Sequence, residues 1–520
     1  MLLKIIIALI GGILMGLTPS PINAWFLAWV ALVPLWILIV KNEGVSSKLW
    51  FLNSIFLIGL VWGIGYHGLA LFWITGIHPM TWLGVPWLAS LAIAIFCLTF
   101  ITLLGGLLVG IWATVFHKVN NWKSQEKTSL IASLIRVLIG TALWCGLEAF
   151  WAGGSLWWTS LSYTQSPHNL AILQLGQFSG PSTVTAAIVA VNGLLAEAWL
   201  KIEKQQKWSL FGGAIALCLL LHLIGFTLYN RPLERDANAA IKVGIIQGNI
   251  PNEIKFDSQG WRKAIANYTR GYEQLADAGV DAVLIPETAL PFIWTRAENR
   301  EYLDFYRAIL ERGVVAWVGG FGEKENGLTN SLFAIDRSGE IVGRYDKSKL
   351  VPLGEFIPFK EVLGKLINRL SPLDASLVHG EKKQIVETPF GRAIVGICYD
   401  SAFAEIFRSQ AASGGEFMLT ASNNAHYSAT MPAQHEAQDV MRAIETDRWA
   451  VRATNTGYSG VVDPRGRIGW RSRLNTYQLH AETIYRRTTE TLYVKWGDWL
   501  MPVLLVLGAL AKVVKSIERS

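Results

Sequence analysis

Cys398, Glu287 and Lys347 are the side chains whose types and settings could together perform nucleophilic chemistry in this sequence. Cys398 ends the apolar, β-branched run of Gly-Arg-Ala-Ile-Val-Gly-Ile-Cys-Tyr-Asp (391–400), and it is the only cysteine between residues 231 and 490. A thiol at the tip of a strand is presented at a sheet edge, where a substrate reaches it; a packing cysteine more often lies inside the run. The thiol attacks only as thiolate, and its free pKa of about 8.5 calls for a base, a nearby cation, or both. Glu287 closes the apolar strand Val-Leu-Ile-Pro-Glu (283–287), which puts its carboxylate at the same sheet edge. A partly apolar pocket would raise its pKa and make it a better base. Lys347 lies in Tyr-Asp-Lys-Ser-Lys-Leu-Val-Pro-Leu-Gly-Glu (345–355). Its ammonium would favour the thiolate and, with the backbone N–H of Tyr399, stabilise the oxyanion of a tetrahedral intermediate. Each motif alone has a plainer reading, as a helix cap, a solvated loop lysine and an inert thiol.

The elements that must position these groups alternate between strand and helix. Strands are predicted at 243–247, 282–285, 314–318, 385–388, 393–397, 417–421 and 459–462, with a hairpin of 331–336 and 340–345 around Ser338-Gly339. Helices are predicted at 261–278, 301–312, 402–413 and, as one long element, 433–451. This alternation predicts a layered α/β domain over 231–490. The polar cluster Asn423, Asn424, His426 and Tyr427 follows a strand and reads equally as a pocket lining or a plain loop. The apolar Phe356, Ile357, Phe359, Leu363 and Leu366 read equally as core or as a lipid-dipping loop.

The rest of the chain is membrane-like. The sequence of 520 residues is 52% hydrophobic and only 16% charged, with a mean hydropathy of +0.33; soluble proteins carry about 25% charged residues. Residues 1–230 are nearly free of charge outside short clusters. Apolar stretches near 4–18, 23–40, 50–75, 84–116, 131–152, 169–199 and 208–229, and an eighth near 498–514, predict eight membrane helices, the long 84–116 stretch leaving room for a re-entrant turn. The first follows Lys4 as a signal peptide would, but the next apolar stretch follows almost directly, which favours a retained span. Lys41 and Lys48, then Lys118, Lys123 and Lys127, then Lys201, Lys204 and Lys207, and finally Lys512, Lys515 and Arg519 fall in alternate loops, while 18–23, 76–84 and 152–168 hold no Lys or Arg. The positive-inside rule then puts both termini in the cytoplasm and the 231–490 domain outside. The same pattern accounts for much of the net charge of +7 without nucleic acid as a partner. Glu148, His67, Gln174 and Asn192 lie in apolar stretches, where polar groups bond between helices. Cys97, Cys145 and Cys218 are apolar-segment thiols, and the spacing offers neither a disulfide framework nor a zinc site.

Taken in chain order, the Glu287, Lys347 and Cys398 motifs resemble the nitrilase superfamily, whose members use a Glu–Lys–Cys triad. With the flanking apolar segments the chain is similar to the apolipoprotein N-acyltransferase family. The resemblance rests on Val-Gly-Ile-Ile-Gln-Gly-Asn-Ile-Pro (243–251), Lys-Leu-Val-Pro-Leu-Gly-Glu-Phe-Ile-Pro (349–358), Ile-Cys-Tyr-Asp (397–400), Glu148, Leu-Ser-Tyr-Thr-Gln (161–165) and Leu-Gln-Leu-Gly (173–176). It implies a multi-pass helical membrane domain (1–230), an extracytoplasmic nitrilase-like α-β-β-α sandwich (231–490) and a C-terminal membrane helix (498–514). It also implies Glu287 as general base, Lys347 as oxyanion stabiliser, Cys398 as nucleophile, Glu355 as a second glutamate orienting Lys347, and Tyr399 supporting the pocket. Asp400 stands where the family usually has Glu, Phe256 where Trp is common, and Lys349 where His is usual. The implied reaction is ping-pong acyl transfer from a phospholipid, through a thioester, to the α-amine of a diacylglyceryl-cysteine lipoprotein. No cofactor or metal is expected, and a monomer in the bacterial inner membrane is. The rival readings are a membrane-tethered amidase of the superfamily and a transporter or scaffold with a ligand-binding domain.

Overall fold

The computed structural model describes residues 1–41, 54–120, 129–301, 303–325, 327–356, 377–425 and 427–517. The chain forms two compact units. One comprises Met1–Thr75, Ile93–Arg231 and Trp496–Ser520; the other comprises Gly76–Ala92 with Pro232–Lys495. Residues 76–92, which hydropathy reading assigns to the membrane half, thus cluster with the catalytic half.

The first unit is helical. Four helices among the described residues are long and apolar enough to cross a bilayer: Trp87–Val119, Leu130–Ala152, Pro181–Leu200 and Lys204–Tyr229. The apolar runs Leu2–Gly16, Trp25–Lys41, Ser54–Ala70 and Leu170–Ser179 are shorter. The 84–116 stretch contains no re-entrant turn, since Trp87–Val119 is one continuous helix of 33 residues. The expected single span over 169–199 is broken, because Gly180 adopts a positive φ of 68° and Pro181 then starts the helix Pro181–Leu200. Leu2–Gly16 and Ser54–Ala70 approach so closely that a Cβ on Gly12 would lie 2.0 Å from the Trp62 carbonyl oxygen, the close contact that small residues permit between apolar helices. Buried charge here is paired. Arg136 meets Glu197 at 2.5 Å, and Glu197 also accepts from Trp36 Nε1. Glu148 accepts from Trp144 Nε1, Leu161 N, Ser160 Oγ and Thr185 Oγ1, so its role is to tie together the chain around it. Asn192 bonds Leu32 N and the Ala28 carbonyl, and His67 Nδ1 lies 3.0 Å from Thr159 Oγ1.

The second unit is a four-layer sandwich. Its strands are β1 (Ala240–Gln247), β2 (Ala282–Leu284), β3 (Val315–Lys324), β4 (Gly327–Ile335), β5 (Ile341–Asp346), β6 (Val386–Thr388), β7 (Gly391–Ile397), β8 (Phe417–Ser422), β9 (Ala450–Thr454), β10 (Gly460–Val462), β11 (Ile468–Arg471) and β12 (Gln478–Tyr485). They form two six-stranded sheets, in the orders β12-β1-β2-β3-β4-β5 and β11-β10-β9-β8-β7-β6. Period-2 alternation decides the layers. Ile241, Val243 and Ile245 of β1 meet Ala393, Val395 and Ile397 of β7 in the core between the sheets. Ile246, Val283 and Val318 point the other way, into a second core with Tyr268, Tyr272 and Phe305 from the helices Ser258–Asp277 and Asp304–Arg312. The helices Ala404–Ala412 and Thr430–Thr446 pack beside the second sheet. The long helix expected over 433–451 stops at Thr446. Asp447 takes a left-handed φ of 55°, and the β-branched segment Ala450–Thr454 becomes β9.

Parallel pairing sets the site. β1, β2 and β3 run parallel, and so do β7, β8 and β9. β5 is antiparallel to β4, which is antiparallel to β3, so β5 ends at the same edge as β2. Loops that carry chemistry collect at the carboxyl ends of parallel strands in such sheets.

Candidate active site

Glu287 follows β2 by three residues, Lys347 follows β5 directly, and Cys398 follows β7 directly. All three side chains are buried: Lys347 is 1% exposed, Glu287 6% and Cys398 7%. The Lys347 ammonium donates to Glu287 Oε1 at 2.9 Å and to Glu355 Oε1 at 2.9 Å. Asn330 Nδ2 donates to the same two carboxylates, at 2.7 and 2.9 Å. The backbone N–H of Asn423, just past β8, donates to Glu287 Oε2 at 2.8 Å and also lies against the Cys398 thiol. The four expected groups, Glu287, Lys347, Glu355 and Cys398, therefore converge, and Asn423 bridges base to nucleophile.

Cys398 occupies a left-handed conformation, φ 49°, which costs a non-glycine residue of order 1 kcal/mol or more and persists only where its surroundings enforce it. Asp400 is one enforcer. Its Oδ2 accepts from Ile397 N and Tyr345 OH, each at 3.0 Å, and its Oδ1 accepts from Lys349 N at 2.8 Å. The carboxylate thus ties the residue before the nucleophile to the residue two after Lys347. His435 is another. Burial holds its imidazole down to about 3, so it is neutral; its Nε2–H donates to the Cys398 carbonyl at 2.7 Å, leaving Nδ1 to accept from Asn424 Nδ2 at 3.2 Å.

The electrostatics differ from the sequence expectation in two respects. Burial alone pushes the Glu287 carboxyl upward, but the ammoniums of Lys347 and Lys255 and the bonds from Lys347 and Asn330 outweigh it and hold it below the usual carboxylate value. Burial likewise pushes the Lys347 ammonium down, and the charges of Glu287 and Glu355 reverse this and hold it well above its ordinary value. The Cys398 thiol is pushed up to about 12, first by burial and then by Glu287, with Lys347 pulling the other way. The expected preformed thiolate and raised glutamate are therefore both corrected. At rest the thiol is neutral beside an ionised carboxylate, and the proton must pass to Glu287 as the sulfur attacks.

The other expected residues lie around this centre. Tyr399 is half-buried, with its ring edge-on to Phe403 at 5.1 Å, and Lys349 Nζ lies 4.4 Å over that Phe403 ring. Phe256 and Phe356 pack on Phe321, Leu350 and Leu377. Ile357, Phe359, Leu363, Leu366 and His426 lie outside the described residues. Sequence reading missed Lys255, Asn330 and Asn423 as site groups. Asn423 falls in a polar cluster that left loop and pocket equally open. Asn330 sits inside a strand and Lys255 in a loop, and only the three-dimensional pairing brings them to Glu287.

Residues 242–490 match the family model described as carbon-nitrogen hydrolase, and residues 11–194 match the apolipoprotein N-acyltransferase N-terminal domain. Over 95% of its length the chain is 58% identical to an apolipoprotein N-acyltransferase of Nostoc sp., covering 96% of that relative. The chain belongs to the apolipoprotein N-acyltransferase family. A relative of the same name from Synechocystis sp. is 48% identical, over 96% of this chain and 98% of its own length. Among solved structures, a Saccharomyces cerevisiae member of branch 10 of the nitrilase superfamily is 19% identical, covering 50% of this chain and 94% of its own, with a TM-score of 0.37. As a member of the apolipoprotein N-acyltransferase family the chain is a membrane-associated acyltransferase with a nitrilase-type domain.

Proposed function

We propose that Cys398 carries the acyl group in a two-step transfer. Glu287 takes the thiol proton as sulfur attacks the ester carbonyl of a phospholipid. Lys347 and the N–H of Tyr399 stabilise the tetrahedral oxyanion. The ester C–O bond breaks, the leaving alkoxide takes the proton from Glu287, and lysophospholipid departs from a thioester on Cys398. The α-amine of an amino-terminal diacylglyceryl-cysteine then attacks the thioester, gives up a proton to Glu287 and forms an amide, and the thiol is restored. The observation that carries this reading is one carboxylate, Glu287, bonded to Lys347 at 2.9 Å and sharing the Asn423 N–H with a strained cysteine.

The alternating Lys and Arg content of the loops supports eight spans, cytoplasmic termini, a catalytic domain over 231–490 on the outer face, and a C-terminal span at 498–514. An active site on that side meets both lipid-anchored substrates in one leaflet. The protein is proposed to act as a monomer.

Intact-mass measurement after incubation with phospholipid tests the reaction. The expected result is a fatty-acyl increment, removable by hydroxylamine, mapped to Cys398 and absent from Cys398→Ser. An increment on Cys398→Ser, or one mapped elsewhere, overturns the assignment. Acyl label recovered only as free fatty acid, with lipoprotein present, would instead favour the amidase.

Asp400→Asn should slow thioester formation by about ten- to a hundredfold with the protein still folded. An amide presents NH2 to Lys349 N or to Ile397 N, and a buried donor left unsatisfied costs about 1–3 kcal/mol. Burial raises the Asp400 carboxyl to about 6, so acidification through that value should imitate the variant in part. A rate within twofold of wild type would show that the elbow does not depend on this clasp.

A further inference from the structure

Lys255 is a second buried cation at this site, 3% exposed, and the reaction proposed above does not use it. It lies in the loop between β1 and the helix Ser258–Asp277, and that loop has little freedom. Asp257 Oδ1 caps the helix by accepting from Gln259 N and Gly260 N. A Cβ on Gly260 would lie 1.8 Å from the Ile254 carbonyl oxygen. The Lys255 ammonium is thus delivered to one place. It donates to Thr288 Oγ1 at 2.7 Å and to the Glu287 carbonyl at 3.2 Å.

The turn it grips needs holding. Thr288 is β-branched and has a φ of 43°, a conformation that costs such a residue of order 1–3 kcal/mol. The turn is also pressed on β3, where a Cβ on Gly319 would lie 2.0 Å from the Pro286 carbonyl oxygen. The charge matters as well as the bonds. Glu287 has its side chain between Lys347 and Lys255 as cations, with Glu355 and the Cys398 thiol facing it, and burial opposes its ionisation. Lys255 ranks directly after Lys347 among the charges acting on Glu287, whereas the charges named for Cys398 are Glu287, Lys347 and Glu355.

We infer that Lys255 is a positioning residue for the acylation step, which fixes the Glu287–Thr288 turn and by its charge keeps the Glu287 carboxylate in the base form. The inference rests on the reading of Glu287 as general base. It goes beyond the triad, because it makes the working range of that base depend on a residue from a different loop.

Thioester formation on Cys398 measured against pH, with phospholipid and no amine acceptor, tests it. In Lys255→Met the Glu287 carboxyl loses one of its two cations, so its pKa rises and the acid limb of the profile moves to higher pH. The shift should be about one unit or more, since one opposite charge at contact is worth about 1–3 units. Acylation near pH 5 should therefore drop at least about tenfold relative to wild type and recover in part near pH 8. Lys255→Arg keeps the charge and should keep the wild-type midpoint. Lys255→Gln keeps hydrogen-bonding reach without charge and should shift as Lys255→Met does, which leaves the question decidable if the methionine variant does not accumulate. Asp400 titrates near 6 in each variant, so the limb is read as a difference from wild type. A merely structural lysine would lower the rate at every pH with the midpoint unmoved, and that result overturns the inference. Wild type that forms no thioester at any pH would overturn the acyl-enzyme reading itself, a distinguishable failure.

Discussion

Lys347→Met should abolish thioester formation and destabilise the catalytic domain together. The Lys347 ammonium, 1% exposed, stands between Glu287 and Glu355, with Nζ–O distances of 2.9 and 2.8 Å. Methionine fills most of the volume and returns none of the charge. Two carboxylates would then face one another across Asn330 Nδ2, which already bonds both. Breaking a buried pair by removing one partner costs about 3–5 kcal/mol, because the orphaned charge stays buried. The chemical loss adds to this. Glu287 loses the larger of the cations that keep it ionised, and the oxyanion loses a donor of the kind whose removal costs about 10²–10³ in rate. Acylation should fall by at least about 10³-fold, with thermal unfolding of the solubilised protein at clearly lower temperature. Hydroxylamine-sensitive label on Cys398 and melting curves read the two effects on one preparation. A variant that melts early yet acylates normally would remove Lys347 from the chemistry.

What could be read from the residues, and what could not, divides on locality. Cys398, Glu287 and Lys347 each end an apolar run, and the period-2 pattern that identifies the run also identifies its tip, so their common sheet edge follows from strand direction alone. Lys255, Asn330 and Asn423 carry no such signal. Each is an ordinary polar residue whose role appears only when β4, the loop after β1 and the loop after β8 are brought to one point. The electrostatics were misread for the same reason. Glu287 in an apolar setting predicts a raised pKa, but the two cations that reverse it lie 32 residues before it and 60 after it. β11 and β12 were missed because their residues are half-buried at the ends of the two sheets, where alternation is weak. In the first unit, hydropathy marked the apolar stretches but not their breaks. The turn at Gly180–Pro181 divides one stretch into pieces, a division set by backbone conformation rather than by polarity.

Glu287→Gln should separate the base from the scaffold, since two readouts should move in opposite directions. Glutamine keeps the shape of the side chain, so the sandwich should fold. Its oxygen can still accept from Asn423 N, but its NH2 then faces Lys347 and Asn330, which are both donors, at a cost of about 1–3 kcal/mol. With no base to take the proton during attack on an ester, acylation should fall by about 10²–10⁴-fold. The thiol itself should become more acidic. After burial, the Glu287 charge is the main influence pushing Cys398 up to about 12, and Lys347 is the main one opposing it; deleting the former leaves the latter in place. Below its pKa a thiol is alkylated in proportion to its thiolate fraction, so each unit of decrease speeds alkylation about tenfold. Iodoacetamide should therefore modify Cys398 faster in Glu287→Gln than in wild type at the same pH, while phospholipid fails to acylate it. A glutamate that only packed the site would leave both rates near wild type. If alkylation slowed in step with acylation, the carboxylate would be activating the thiol at rest, and the neutral resting pair inferred from the burial of Cys398 would have to be abandoned.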